Sequence, residues 1–423
     1  MAKDTFMSGN SLRGVPNDSR TADPRSLLGR SITDGSFGSP VALLKRSAIE
    51  NNSRWMQSFV AHYGIQLAPH GKTSMAPKIF EMQLADGSKW LSLANVTQAQ
   101  VARTIDAKHI LVANQVVNFH DLEYLARETS QGHFEAMCFV DSAAGVALID
   151  EAMARYPRAT PFPVLIEIGV PGGRAGVRDR QQALEVARAV AGSRFVTLAG
   201  LAGYEGVFSP KDPDCVPKVD AYLSGIVDLA KAIEEEGLFP LEKIILSAGG
   251  SKFFDRVAEV FSSAQLGRPV DVMIRCGCYL FHDVGIYEEA LQLLYERNPF
   301  AKMLGVFVPA IEIWGQVQSR PEQARAIVDI GRRDVSYDAG LPVPCRWIHP
   351  SVSSDIRDLS GVRTARLNDQ HCFLDLPEES ALGVGDLVGF NISHPCTVFD
   401  KWHGMYLVDD DYTVLDFIES RFG

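Results

Sequence analysis

The stretch from 243 to 275, KIILSAGGSKFFDRVAEVFSSAQLGRPVDVMIR, decides how the chain is read. An apolar run (Lys243–Ser247) gives way to a glycine turn and then to "FFDRVAEVFSSA", whose apolar residues recur at helical spacing. A second apolar run, Asp271–Arg275, closes the unit. Two short runs separated by one amphipathic helix read as parallel strands joined by a crossover. Working outward, the same pattern recurs at Ile65–Ala68, Trp90–Ala94, His109–Ala113, Ala136–Val140, Pro163–Ile168 and Val196–Gly203. The intervening "SAAGVALIDEAMARY" and "VDAYLSGIVDLAKAIEEEG" have the 3.6-residue period of helices. Eight strand–helix units in succession favour a closed (β/α)8 barrel over an open doubly wound sheet. The barrel is expected over 47–299.

The texture changes after about residue 300. Short apolar runs such as "HCFLDL", "GDLVGFNIS" and "YLVDDDYTVLDFIE" alternate with turn signals, which predicts a mostly β domain over 300–423. "SPVALLK" near the N-terminus is expected to add a strand to it, from 41–46. Residues 1–40, rich in Ser, Gly, Asp and Arg, read as an arm, partly disordered or laid on another surface.

Composition narrows the function. The chain has 423 residues, with 41 Lys and Arg against 52 Asp and Glu, a net charge of −11. Such a balance is not built to coat nucleic acid or an anionic membrane. No apolar run approaches the roughly 20 residues of a spanning helix, and the N-terminus lacks a secretory core. Seven cysteines without a CxxC pair indicate neither a zinc ribbon nor a secreted disulfide framework, which points to the cytoplasm.

Barrel enzymes carry their chemistry on the loops after the strands. The first loop is "PHGKTS", with Lys72, and the fifth, "EIGVPGGRAG", carries Arg174. The sixth is "GYEG", with Tyr204, and the seventh "SAGGS", with Ser247, Gly249 and Gly250. The eighth, "RCGCY", carries Gly277 and Tyr279. Glycines here let backbone N–H groups approach an anion, and phosphate sites in such barrels follow the seventh and eighth strands. The plainer reading of those glycines is a tight turn. An amine at the first strand facing a phosphate site suggests pyridoxal phosphate. Lys72 is the expected attachment point and catalytic base. Arg174, Tyr204, Ser247, Gly249, Gly250, Gly277 and Tyr279 are the expected cofactor-binding residues.

"APHGKTSMAPKIF", "GRAGVR", "GYEG", "SAGGS", "RCGCYLFHD", "LNDQHCFL" and "ISHPCTV" occur in that order between about 40 and 410. Together they resemble the fold-type III, alanine racemase-like pyridoxal phosphate enzymes, in particular the D-serine dehydratase and D-threonine aldolase branch. The resemblance implies a homodimer acting on a small D-amino acid. It also implies that His394 and Cys396 bind a divalent metal, zinc or manganese. By residue type alone, imidazole and thiolate two positions apart on a strand suit zinc, while a buried core cysteine beside an incidental histidine is the plainer reading. The His-x-Cys form resembles the dehydratases, where the aldolases carry His-x-Asp. The expectation is a metal-assisted dehydratase of D-serine, D-threonine or a 3-hydroxyaspartate. A retro-aldol lyase and a non-catalytic cofactor carrier are the alternatives. Gln370, His371 and His403 have no settled role, though the first two are expected to reach the mouth.

Overall fold

The computed structural model describes residues 13–15, 23–350 and 355–422. Val41–Lys45 (β1) precedes eight parallel strands: Gln66–Leu67 (β2), Leu91–Leu93 (β3), His109–Gln115 (β4), Glu135–Val140 (β5), Phe162–Ile168 (β6), Val196–Gly203 (β7), Ile244–Ala248 (β8) and Val270–Ile274 (β9). They run in the order β2-β9-β8-β7-β6-β5-β4-β3. The ring shuts by a single bridge between His70 and Ser92, where Ser92 Oγ donates to the Ala68 carbonyl at 2.7 Å.

Strand parity explains why this sheet curls. On β4, β5 and β6, Leu111, Met137, Phe139 and Leu165 join a cluster filling the lumen. Their neighbours Ile110, Val112, Cys138, Val164 and Ile166 pack into the larger core beneath the surrounding helices. Both faces are apolar, as a parallel sheet covered by crossover helices requires. Asn95, Asn118, Ser142 and Asp179 each accept an N–H from the first turn of the helix that follows. These caps satisfy donors that would otherwise be orphaned.

The second sheet has ten strands. It is built from β1 with Ile311–Glu322 (β10), Arg325–Val328 (β11), Val343–Ile348 (β12), Arg357–Asp358 (β13), Arg363–Leu367 (β14), Cys372–Asp375 (β15), Leu387–Asn391 (β16), Gly404–Val408 (β17) and Val414–Glu419 (β18). Its pairings are antiparallel except that β1 lies parallel to β17 while pairing antiparallel to β10. The N-terminal strand is therefore interior to the C-terminal sheet, with Leu43 and Leu44 both fully buried. The described part of the arm lies on this sheet, where Leu27 and Ile32 pack with Trp314 and Tyr406. The rest of the arm falls outside the described residues. No helix among the described residues is long and apolar enough to cross a membrane.

Candidate active site

The same parity that fills the barrel floor arms its mouth. Glu167, Ser247 and Arg275 continue the inward rows of β6, β8 and β9, beyond Leu165, Ile245 and Met273. The Arg275 guanidinium is buried. It donates to Ser247 Oγ at 2.6 Å and to the Gly203 carbonyl at 2.6 Å. Above this floor lies a cavity of about 340 Å³ lined by His70, Lys72, Glu167, Arg174, Tyr204, Gly249, Gly250 and Arg275, among others. Five of the predicted residues thus meet in one cavity. A larger cleft of about 960 Å³ opens around Lys45, Glu312, Arg346 and Tyr412, and none of the predicted residues lines it.

Lys72 sits in a short 3-10 turn, Gly71–Thr73, directly after β2. It is exposed at the mouth, and its side-chain nitrogen has no hydrogen bond or ion pair among the described residues. His70 beside it is half-buried, and its Nδ1 is buried without a hydrogen-bond partner among the described residues. Burial, reinforced by the nearby Lys72, Arg275 and Arg174 charges, pushes the His70 pKa far down, so the imidazole is neutral. The Arg174 guanidinium lies 4.4 Å from the Tyr204 ring centroid. Its loop is shaped from below: Arg178 donates to the Gly176 carbonyl at 2.8 Å, and Asp141 accepts the Gly176 N–H at 3.0 Å.

The glycine loops carry a surprise. Glu205, fully buried, accepts the Gly249 N–H at 2.9 Å and the Gly250 N–H at 2.6 Å. Burial pushes the Glu205 carboxyl pKa up against these hydrogen bonds. The two donors expected to face a phosphate are thus engaged by a carboxylate, and these glycines serve the cavity through their missing side chains. Gly249 needs its freedom for a φ of +92°, and a Cβ on Gly277 would stand 2.6 Å from the His70 carbonyl oxygen. Gly277 lets the loop after β9 press against the Lys72 turn. Ser247 lies beneath the cavity as a partner of Arg275. Tyr279 points away, buried beside Gln83, and does not line the cavity.

His394 and Cys396 are not on a strand. The backbone leaves β16 at Asn391, and Cys396 begins a single helical turn, Cys396–Phe399, after Pro395. Proline fixes φ near helical values and favours the first positions of a helix, so it starts the helical turn once the strand has ended. The two side chains meet nonetheless, through a hydrogen bond between imidazole and sulfur. His394 Nδ1 is 2.6 Å from Asp338 Oδ2, which leaves Nε2 for Cys396. Burial opposes charge on His394, but Cys396 and Asp338 outweigh it and lift its pKa to about 9. Cys396 Sγ is 3.4 Å from Cys278 Sγ and 3.4 Å from Thr73 Oγ1, so the pair abuts the residue after Lys72. Hydrogen bonding from Cys278 and His394 holds the Cys396 thiol down, and that of Cys278 is correspondingly raised. Among the described residues no three His, Cys, Asp or Glu side chains are grouped to hold a metal. Gln370 and His371 are exposed between β14 and β15, where Gln370 donates to Asp334, and neither lines the cavity. His403 is likewise exposed outside it.

Residues 44–282 match the model of the alanine racemase N-terminal domain, more than half of the chain, and residues 310–408 match a putative serine dehydratase domain. The chain belongs to the alanine racemase-like, fold-type III family of pyridoxal phosphate enzymes. Within that family it is 25% identical over 380 residues to a 3-hydroxy-D-aspartate aldolase of Paracoccus denitrificans (strain Pd 1222), covering 88% of this chain and 90% of the relative. The D-threonine aldolase of Filomicrobium marinum superposes with a TM-score of 0.76 at 24% identity, over 93% of this chain and 97% of that one. The D-threo-3-hydroxyaspartate dehydratase of Delftia sp. HT23 gives 0.69 at 21%, over 91% and 98%. A D-threo-3-hydroxyaspartate dehydratase is also known as variants in which a histidine and a cysteine two positions apart become alanine, the cysteine variant in a metal-free form.

Sequence reasoning missed Glu167, Glu205 and Arg275 in this alanine racemase-like barrel. Counting parity along the strands beyond the last apolar lumen residue reaches Glu167 and Arg275. Nothing in the sequence signals that Glu205 turns inward beneath the next loop.

Proposed function

We propose that this chain is a pyridoxal phosphate-dependent, metal-assisted dehydratase of a D-β-hydroxy amino acid, releasing a 2-oxo acid and ammonia. D-Serine, D-threonine and 3-hydroxyaspartate are the candidate substrates. The observation that carries this reading is the placement of Cys396 against Thr73, which sets a histidine–cysteine pair beside the one cavity lysine.

The residues fit the groups they would hold. Lys72 Nζ would be the amine for the cofactor aldehyde, and Arg174, Tyr204, Gly249 and Gly250, which line the same cavity, would hold the cofactor. The buried, unpartnered His70 Nδ1 gives that cavity a neutral polar atom. His394 Nε2 and Cys396 Sγ offer the nitrogen and sulfur that borderline divalent ions favour, and two protein ligands would leave coordination positions for water or substrate. When bound, the cofactor supplies an electron sink for charge at Cα and the metal a Lewis acid toward the β-hydroxyl. The chain does the rest. Lys72 Nζ would serve as the base for the Cα proton. Asp338 fixes the His394 ring, and the Arg174–Tyr204 stack closes one side of the mouth. The metal-free form of a cysteine variant of a D-threo-3-hydroxyaspartate dehydratase supports the metal assignment. A homodimer in the cytoplasm completes the proposal.

The second reading is a retro-aldol lyase, favoured by the similarity to aldolases along most of the chain. One assay separates them: the three D-amino acids with purified protein, scored for ammonia and 2-oxo acid or for glycine and aldehyde. The dehydratase reading expects ammonia, lost on chelation and restored by zinc or manganese. Stoichiometric glycine and aldehyde without ammonia would establish the lyase instead.

A further inference from the structure

Cys278 and Cys396 come from opposite domains, yet their sulfurs stand 3.4 Å apart. Cys278 is on the loop after β9, and Cys396 is on the turn after β16. The two segments are tied together by backbone: Val284 N donates to the Ile392 carbonyl at 3.0 Å, and Ile286 N to the Ser393 carbonyl at 3.4 Å. A disulfide bond is about 2.05 Å long. The sulfurs need only close by about 1.4 Å, between segments already held in place. Cys396 is partly exposed and Cys278 buried, so an attacking reagent meets Cys396 first.

We propose that Cys278 and Cys396 are a redox pair that forms a reversible inter-domain disulfide, which removes Cys396 from service as a metal ligand. The oxidant is a low-molecular-weight disulfide. The Cys396 thiolate attacks one of its sulfurs, the reagent S–S bond breaks, and one thiol leaves with the proton from Cys396. Cys278 Sγ then attacks Cys396 Sγ in the mixed disulfide, the second reagent thiol departs, and the Cys278 proton goes to it. Two protein thiols are oxidised and one reagent disulfide is reduced to two thiols. Free dithiol reverses each step. The consequence for metal rests on the metal assignment above; the cross-link does not.

The test treats the full chain, purified without metal, with oxidised glutathione and follows intact mass, alkylatable thiols and peptide maps. The expected result is a loss of two hydrogens and of two alkylatable thiols, with the Cys278 and Cys396 peptides joined, all reversed by dithiothreitol. Cys278→Ser should stop at a stable glutathione adduct on Cys396, while Cys345→Ser should cross-link as the parent does. If Cys278 and Cys396 both stay alkylatable, or the adduct on Cys396 persists in the parent chain, the proposal is wrong. Pre-loading with zinc should slow oxidation at least tenfold. Equal rates with and without zinc would overturn the metal role of Cys396 while leaving the disulfide standing.

Discussion

Asp338 belongs to no motif in the sequence, yet its carboxylate takes His394 Nδ1 and its other oxygen accepts from Thr397. A ligating histidine whose far nitrogen is so held is fixed in tautomer and direction. Asp338→Ala should therefore weaken metal affinity by about 10–100-fold with His394 and Cys396 intact, as read by competition with a chromophoric chelator. Asp338→Asn should recover part of that loss, because its amide oxygen still accepts. At Lys72 the expectation is covalent: borohydride reduction of the cofactor-loaded protein tags Lys72, and Lys72→Ala abolishes both tag and visible absorbance. A tag on Lys78 or Lys89 would disprove the assignment. The glycine loop calls for a subtler choice of variant. A Cβ on Gly249 would meet the Ile274 Cβ at 2.9 Å and strain a positive φ, so Gly249→Val damages the core as well as the cavity. On Gly250, whose φ is not in the left-handed region, the nearest atoms to a Cβ are side-chain ones, the Tyr204 ring at 2.8 Å and Glu205 Oε1 at 3.4 Å. Gly250→Ala should thus weaken cofactor retention on dialysis with little change in melting temperature.

At the scale of an element, Asp283 pins the loop that leads into the helix Ile286–Arg297. Asp283 Oδ1 accepts the N–H groups of Gly285 at 2.8 Å and Tyr287 at 3.0 Å. Its Oδ2 is buried without a partner among the described residues. Burial lifts the carboxyl to about 6, against those hydrogen bonds and the nearby His282 and His394. An unfolded aspartate ionises near pH 4, so the folded chain holds this proton more tightly. The stability it confers is full below about pH 4 and fades as pH rises through 6. Asparagine keeps the acceptor without the charge. Asp283→Asn should therefore gain on the parent by about 1–3 kcal/mol between pH 5 and pH 8, measured as urea midpoints. A difference that stays flat over that range would show that the carboxylate is solvated after all.

On the scale of the whole molecule, β1 joins the two ends of the chain. It lies between β10 and β17, so its removal would leave two interior strands with unpaired edges. Leu44 belongs to the large core and Leu43 to the cluster of Trp314 and Tyr406, so each face of β1 is filled. Leu44→Ala should cost about 2–5 kcal/mol in a denaturant titration. A fragment of 300–423 should lack a cooperative thermal transition, and fusing 36–45 ahead of it should restore one. Cooperative melting of the bare fragment would mean that the sheet stands without β1.

Period and punctuation were enough for the eight barrel strands, because a parallel strand buried on both faces must be an apolar run and its helix must carry a 3.6 stripe. The same local rules reached Lys72, which follows its strand by a few residues, and "SPVALLK", which is too apolar to be left at a surface. They placed His394 and Cys396 on a strand, and there the proline bent the backbone into a helical turn. What local rules lack is distance across the chain. Glu205 takes the amides of Gly249 and Gly250, Asp338 takes the ring of His394, and Cys278 reaches Cys396 across 118 positions. Each of these contacts joins residues on separate loops or turns, so it exists only once barrel closure and β1 pairing have fixed where those loops meet.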